Sequence, residues 1–518
     1  MFRKYSIAVI LFVSIALAQH PSFDSRYHTV SEVIDEITAL ADTYSAYCAL
    51  ESLGHSGVDS IIIWGLKISE NPLLDEDETS ISLVGGQHAD EPAGVEVCMW
   101  MARDLLQRIH AGDSLATEWW RALEIWIIPQ MNPDGRIMCL DSGYAEWRKT
   151  KRDNNLDGIC ELYIDGVDPN RNWDYLWDIY ESEDADNTKG PYPFSEQCVI
   201  TMRDFYMRER PLFAVDYHSP DSTGGNKMWF SWWFNEGPYY GYSPDMSNCW
   251  LDIRNSFADA TLDEEGNSYA RAASYHDKPK LQTWTYYSLG ICSIVLEITN
   301  QCFWTGEIID TISARVGRGT YSLFDRAMSQ MLVTHVVDSS TSAPITHAEV
   351  EVVQLQHAYF PPRTVDPIHG TNRRWLRSGY YTIQVKARDY FTTTIDSVFV
   401  STGAPTHLRV AMNRDTYISE SALPKAPVLF ASPNPFNSSV LLHYTGVAGP
   451  NRAGVQIGIE IFDLNGKHIA DLPSPSANAE GATPVLWSPA ECLSSGIYLA
   501  RVRFEGGSTA FLRLVYIK

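Results

Sequence analysis

In Ser80-Ile-Ser-Leu-Val-Gly-Gly-Gln-His-Ala-Asp-Glu91 an apolar strand runs into a double-glycine turn and then presents a histidine and a carboxylate three residues apart. A His and a Glu so spaced on a turn or a first helical turn can face one point. Both are ligands that a borderline metal such as zinc accepts. The pair is short enough to recur by chance in 518 residues, so it needs company. Phe213-Ala-Val-Asp-Tyr217 is a buried-strand pattern that ends in His218, and ligands of α/β sheets collect at such strand ends. Two His and one Glu make a three-ligand zinc set with a position left open for water. A third apolar run, Ser293-Ile-Val-Leu296, ends in Glu297. Burying a lone carboxylate is costly, and either a nearby metal-bound water or a plain ion pair would explain it.

Working outward, strands alternate with helices. Ser31 to Ala41 has helical spacing with Ser31 as the expected cap, and Val95 to Ile109 reads as a second helix. Ile61-Ile-Ile-Trp64 and Leu123-Glu-Ile-Trp-Ile-Ile-Pro129 read as further strands. The alternation argues for an α/β domain over 19–328 with a largely parallel or mixed sheet and helices on both faces. After about residue 330 the pattern becomes β-rich, with short strands between turn residues. Two small β-sandwich domains are expected, at 329–413 and 428–518, joined by a polar linker at 414–427.

Composition narrows the function classes. A length of 518 residues suits about three domains, and 45% hydrophobic with 20% charged residues excludes a wholly disordered or coiled-coil chain. A net charge of −24 repels phosphate backbones, so no nucleic-acid partner is expected. Nine cysteines leave at least one thiol unpaired in a monomer. Residues 1–18 carry Arg3 and Lys4, an apolar run and Ala16-Leu-Ala18, the pattern of a secretory signal peptide cut before Gln19. No later stretch is long and apolar enough for a membrane helix, so an exported chain without an integral membrane segment is expected.

Two motifs place arginines in this acidic chain, Trp147-Arg148-Lys149-Thr150 and Asn170-Arg171-Asn172-Trp173. A guanidinium is a natural fork for a carboxylate and a stabiliser of a developing oxyanion; solvated surface charge is the plain alternative. Asp153-Asn-Asn155-Leu-Asp157-Gly158 offers oxygens at alternate positions before a glycine, as calcium loops do. The twelfth position is Ile164 rather than Glu, which leaves a bound Ca2+ or a solvated acidic turn as the two readings.

Together, His88 and Glu91, Asn132-Pro-Asp-Gly135, Trp147-Arg-Lys-Thr150, Asp168-Pro-Asn-Arg-Asn-Trp173, Pro191-Tyr-Pro-Phe-Ser-Glu196, His218-Ser219 and Glu297 resemble, in order and spacing, zinc metallocarboxypeptidases of the carboxypeptidase A/B type. The resemblance implies a mixed sheet of roughly eight strands flanked by helices, and one zinc per catalytic domain, held by His88, Glu91 and His218, with Glu297 as general base and Arg148 as oxyanion stabiliser. It implies that Asn170 and Arg171 clamp the free carboxylate of a peptide or protein substrate, and that Asp168 supports the first zinc histidine. Counting back from Glu297 places the family's mobile tyrosine at Tyr275, with Tyr286 as the fallback, and its pocket-setting residue at Gln282. Ala145 departs from the family's second arginine. The implied activity is hydrolysis of the last peptide bond. Cell-wall peptides or an amide as substrate, or a dead scaffold serving as a binding module, are the alternatives. Gln282 is neutral, and Met228-Trp-Phe-Ser-Trp-Trp233 offers no acid, so no preference for basic termini follows. That aromatic run either lines a cleft or packs a wall.

Residues 329–413 resemble a transthyretin-like, carboxypeptidase regulatory-type domain, on Val336-Val-Asp338 through Gly379-Tyr-Tyr381. Residues 428–518 resemble a type IX secretion sorting domain, on Ser432-Pro-Asn-Pro-Phe-Asn437, Ile461-Phe-Asp-Leu-Asn-Gly466 and Ser495-Gly-Ile-Tyr498. The second resemblance implies export machinery as a partner and a secreted or cell-surface location in a diderm bacterium.

Overall fold

Thr29 opens the first helix, Val30–Thr43. Its hydroxyl accepts from the Glu32 N–H while the Glu32 carboxylate accepts from the Thr29 N–H. The expected cap at Ser31 is therefore displaced by two residues. Thr29 has a glutamate three positions on and can close this reciprocal box, whereas Ser31 has Ile34 there. The computed structural model describes residues 26–142, 144–182, 184–220, 224–234, 240–275, 278–300, 306–415, 428–432, 434–445, 458–464, 466–472, 477–478, 481–482, 485–490, 493–503 and 509–518. The expected signal peptide at 1–18 and most of the expected linker at 414–427 lie outside them.

The strands of the first domain are β1 (Cys48–His55), β2 (Ile62–Ile68), β3 (Thr79–Val84), β4 (Leu123–Ile128), β5 (Phe213–His218), β6 (Lys227–Phe234), β7 (Gly241–Tyr242), β8 (Ala270–Tyr275) and β9 (Cys292–Glu297). They form one mixed sheet in the order β1-β2-β4-β3-β5-β9-β6-β7, with β8 paired to β6. About eight strands were expected. The ninth is β8, which branches off the main path and runs parallel to β6. The central β4, β3, β5 and β9 are mutually parallel, and all their residues are buried. That explains their unbroken apolar runs, since helices cover both faces of such strands. Val97, Met101 and Leu105 of the helix Ala93–His110, Phe205 of Gln197–Glu209 and Val316 of Gly306–Ala327 share one core with the sheet.

Chain order creates the site. From β3 the chain moves to β4 on one side, and β5 then lies on the other side of β3. A crevice opens outside the carboxyl ends where the direction reverses. The turn after β3 enters it closely. Gly86 has φ +64°, and a Cβ on Gly85 would lie 2.6 Å from the Gly94 carbonyl oxygen, so both glycines are required by geometry.

Residues 332–412 form two three-stranded sheets. One joins Thr371–Arg374, Leu332–Asp338 and Thr406–Met412; the other joins Glu349–Val352, Gly379–Lys386 and Thr393–Val400. Val336, Val350, Ile383, Val410 and Met412 meet in a core of their own. This module belongs with the preceding domain to one compact unit ending at Arg414. Residues from 415 form a second unit of β-strands around Val440, Ile459, Trp487 and Leu514. Among the described residues no helix is long and apolar enough to cross a membrane, and the seven described cysteines are all unpaired.

Candidate functional site

His88 and Glu91 follow β3, His218 closes β5, and their donor atoms converge. His88 Nδ1 lies 3.0 Å from Glu91 Oε1, His218 Nδ1 lies 2.9 Å from Glu91 Oε2, and the two Nδ1 atoms are 3.0 Å apart. All three side chains are buried. The opposite ring nitrogens are held by carboxylates: Asp168 Oδ1 sits 3.0 Å from His88 Nε2, and Asp216 Oδ2 sits 2.7 Å from His218 Nε2. With each Nε2–H donated outward, each Nδ1 turns a lone pair inward. Two lone pairs and an anionic carboxylate aimed at one buried point repel one another unless a cation stands between them. The donor set therefore fits a divalent ion, and two imidazoles with one carboxylate suit zinc. Burial pushes the Glu91 carboxyl up, but its interactions with His88 and His218 hold it well below its ordinary value.

Arg148 borders this cluster. Its Nη1 donates to Glu91 Oε1 at 2.7 Å and its Nε to Asp168 Oδ2 at 3.5 Å. Burial works against the Asp168 charge, yet Arg148, His88 and Arg171 hold that carboxyl well below the carboxylate range. Asp168 also caps the short turn Pro169–Arg171, accepting from the Asn170 N–H at 2.7 Å. One carboxylate thus orients a histidine, an arginine and the backbone of the Asn170-Arg171 pair. Arg171 donates through Nε to Tyr180 Oη (3.2 Å), through Nη1 to the Asn170 carbonyl (2.9 Å) and through Nη2 to Asn187 Oδ1 (2.6 Å). Nη1 also lies 3.7 Å from Asp168 Oδ2, so the carboxylate that orients His88 and Arg148 pairs with this guanidinium too. Asn170 Oδ1 accepts from the Leu281 N–H at 2.9 Å.

Glu297 ends β9 opposite His218 of β5 and opposite Lys227 of β6. Gln282 is buried in the short helix Leu281–Trp284, beside the residue that holds Asn170. Tyr275 lies at the end of β8 opposite Trp233; its side chain lies outside what the structure describes. Tyr286 is fully buried, and its hydroxyl donates to Asp245 Oδ2 at 2.8 Å, so this fallback is a locked structural tyrosine. In Met228–Trp233 alternate residues Met228, Phe230 and Trp232 point into the core, which makes the run wall packing along a strand. Asn132 and Asp134 of the Asn-Pro-Asp-Gly motif hold loops in place. Asn132 Nδ2 donates to the Gln87 and Lys149 carbonyls, and Asp134 accepts from Ser56, Val58 and Asp59. In the 153–158 loop, Asp153 accepts from the Leu156 and Gly158 N–H groups, Asn155 from Asp157 and Asp157 from Ile159. Turn chemistry accounts for that Asp/Asn spacing.

Three contributors were not singled out from sequence: Asp216, Tyr180 and Asn187. Asp216 carried a readable signal, because residues two apart on a strand share a face. Tyr180 and Asn187 reach Arg171 through loop folding and carried none.

A family description for zinc carboxypeptidases matches residues 33–311, over half of the chain. A zinc carboxypeptidase from Saccharothrix mutabilis subsp. capreolus is 32% identical over 160 residues, which is 30% of this chain and 34% of that protein. Carboxypeptidase B from Astacus astacus is 24% identical over 234 residues, 44% of this chain and 69% of that protein. The chain thus spans about a third of the first relative's length and about two-thirds of the second's. Among solved structures, carboxypeptidase A from Helicoverpa armigera aligns with a TM-score of 0.49 at 18% identity, covering 59% of this chain and 76% of that one.

Proposed function

The chain belongs to the zinc carboxypeptidase family, and from that premise we propose that it is an exported metallocarboxypeptidase removing the last residue of peptides or proteins. The observation that carries the proposal is the convergence of His88, Glu91 and His218 at a strand-end crevice whose rim carries Arg148 and whose neighbouring turn carries Arg171. Zinc held by those three side chains supplies Lewis acidity, acidifying water and polarising a carbonyl. Glu297, on the same rim as His218, is the base that takes the proton of the attacking water on its carboxylate and delivers it to the leaving amine nitrogen. Arg148 offers guanidinium N–H groups to the oxygen that gains charge in the tetrahedral state. The guanidinium of Arg171 and the amide of Asn170 receive the free carboxylate, so attack is confined to the last bond. Gln282 faces the side chain of the departing residue, and Tyr275 closes over it.

A library of peptides with varied C-termini, read by mass spectrometry, tests this reading. Stepwise loss of single C-terminal residues is expected, with no cleavage by Glu297→Gln. Cleavage of amidated peptides, or of wall peptides alone, would replace it with the amidase reading.

Residues 1–18 fit a cleaved signal peptide, 329–413 a transthyretin-like domain and 428–518 a type IX sorting domain through which export machinery is engaged. The support for these is the sequence motifs. Terminal sequencing of the exported protein is expected to find Gln19 first, and its C-terminal reading decides whether the 428–518 domain is kept or removed.

A further inference from the structure

The loop 356–363 of the β-module is driven into the catalytic domain behind the helical segment that carries Gln282. That segment runs from Leu281–Trp284 into Thr285–Leu289 and stops at Gly290, whose φ of +75° ends the helix. The last carbonyls of a helix lack partners of their own. Here Arg363 adds a side-chain donor, beside the Gly290 N–H that the Tyr286 carbonyl accepts at 3.0 Å. Its Nη1 donates to the Tyr286 carbonyl at 2.7 Å and the Tyr287 carbonyl at 2.9 Å, and its guanidinium lies 4.8 Å from the Tyr286 ring centroid. A cation at a helix C-terminus also suits the helix dipole. Arg363 is 6% exposed, so these bonds are made away from water. Asp245, 3.9 Å from Arg363, receives Arg374 of the same module at 2.8 Å and the Tyr286 hydroxyl.

The loop makes a second attachment. Tyr359 Oη lies 2.5 Å from Tyr175 Oη, four residues beyond Arg171. Phe360 packs at 4.9 Å from Tyr286 and 5.3 Å from Trp232, ring centre to centre. At its other end the helical segment is tied to the proposed carboxylate clamp by the Leu281 N–H on Asn170 Oδ1, and Trp284 lies against Trp173 at 5.2 Å. An unbroken series of contacts thus leads from Arg363, through the helix bearing Gln282, to Asn170.

We infer that the β-module is a positioning element of the catalytic site: Arg363 caps the 281–289 helix from outside, and with Tyr359 it sets where Gln282 and Asn170 stand relative to the end of the substrate. The inference rests on the roles proposed above for Gln282 and Asn170. Arg363 touches no substrate and acts through the helix.

The test uses the full chain loaded with zinc, its fold checked by thermal melting. KM and kcat are measured for two peptides that differ only in the last side chain. Arg363→Met is expected to raise KM about tenfold with kcat changed much less, and to alter the ratio of kcat/KM between the two peptides. Arg363→Lys, which keeps a cation for the carbonyls, is expected to restore most of both. Tyr359→Phe keeps the ring and removes only the hydroxyl contact, and is expected to shift KM the same way by a smaller factor. It carries the test together with Arg363→Gln if Arg363→Met does not fold. A loss of activity equal for both peptides, or unchanged KM and unchanged ratio in the folded variants, overturns the inference. A wild-type chain that cleaves neither peptide overturns the functional reading instead.

Discussion

His218 and Glu297 are register partners, each the last residue of its strand in the parallel pair β5 and β9. Register partners on parallel strands project to the same face of a sheet. A pairing separated by most of a hundred residues in sequence therefore puts an imidazole and a carboxylate side by side at the crevice. The proposed role of Glu297 as base depends on this registry, because a one-residue slip of β9 would send the carboxylate to the opposite face.

Replacing Glu297 with Gln keeps the size and removes the basic oxygen. Turnover is expected to fall by about 10²–10⁴-fold, with zinc still bound one per chain. Peptide hydrolysis assayed beside metal analysis decides it. Zinc lost together with activity would make Glu297 a part of the metal's own support.

Asp168 and Asp216 hold the outer nitrogens of the two histidines. Asp216→Asn is expected to weaken zinc binding by about 10–100-fold, because the amide no longer fixes the tautomer or raises ligand basicity. A chelator titration of wild type and variant reads this directly, and added zinc is expected to restore stripped wild-type enzyme. Equal chelator midpoints would count against the orienting role.

Arg171→Met removes the proposed fork for the substrate carboxylate. A charge-assisted hydrogen bond contributes about 1.5–3 kcal/mol, so the loss of even one is expected to raise KM by about 10–100-fold for free-acid peptides. Tyr180→Phe, which releases only Nε, is expected to have a smaller effect in the same direction. Should Arg171→Met cleave free-acid peptides with a wild-type KM, the clamp lies elsewhere.

His28 gives a pH dependence of stability away from the metal cluster. Its Nε2 lies 3.0 Å from Glu36 and its Nδ1 2.6 Å from Glu96, and these bonds, Glu36 first, raise its pKa from 6.5 to about 9. A raised folded-state pKa stabilises fully below the unfolded value, and the stabilisation is lost as pH climbs through the folded value. The melting temperature is therefore expected to decline between about pH 6.5 and 9, and His28→Asn is expected to flatten that slope. Glu36, lowered to about 2 with His28 as the leading cause, adds a second loss as pH falls below 4.5 toward 2. A variant profile parallel to that of wild type from pH 6.5 to 9 would assign the slope to other groups.

Much of the fold was legible because the central strands are buried on both faces. Burial of that kind leaves unbroken apolar runs such as Leu123–Ile128 and Phe213–Tyr217, and their ends mark the crevice. The helix start at Thr29 was misread because Ser31 is an equally good cap residue, and only the partner at Glu32 separates them. Strands β7 and β8 gave little signal. One is two residues long, and the other is Ala- and Ser-rich, held by pairing with β6 rather than by its own apolar pattern.

The site divides in the same way. Residue types and spacing singled out His88, Glu91, His218, Arg148 and Arg171, because coordination and carboxylate binding demand particular atoms in particular local geometry, and the family resemblance added Asp168. Tertiary structure alone brought Asp216 behind His218, Tyr180 and Asn187 onto Arg171, and Arg363 under the helix that carries Gln282. Hydrogen-bond partners of that kind are interchangeable among many polar residues. What singles one out is the path of the folded backbone, and a linear chain records that path only through all of its packing at once.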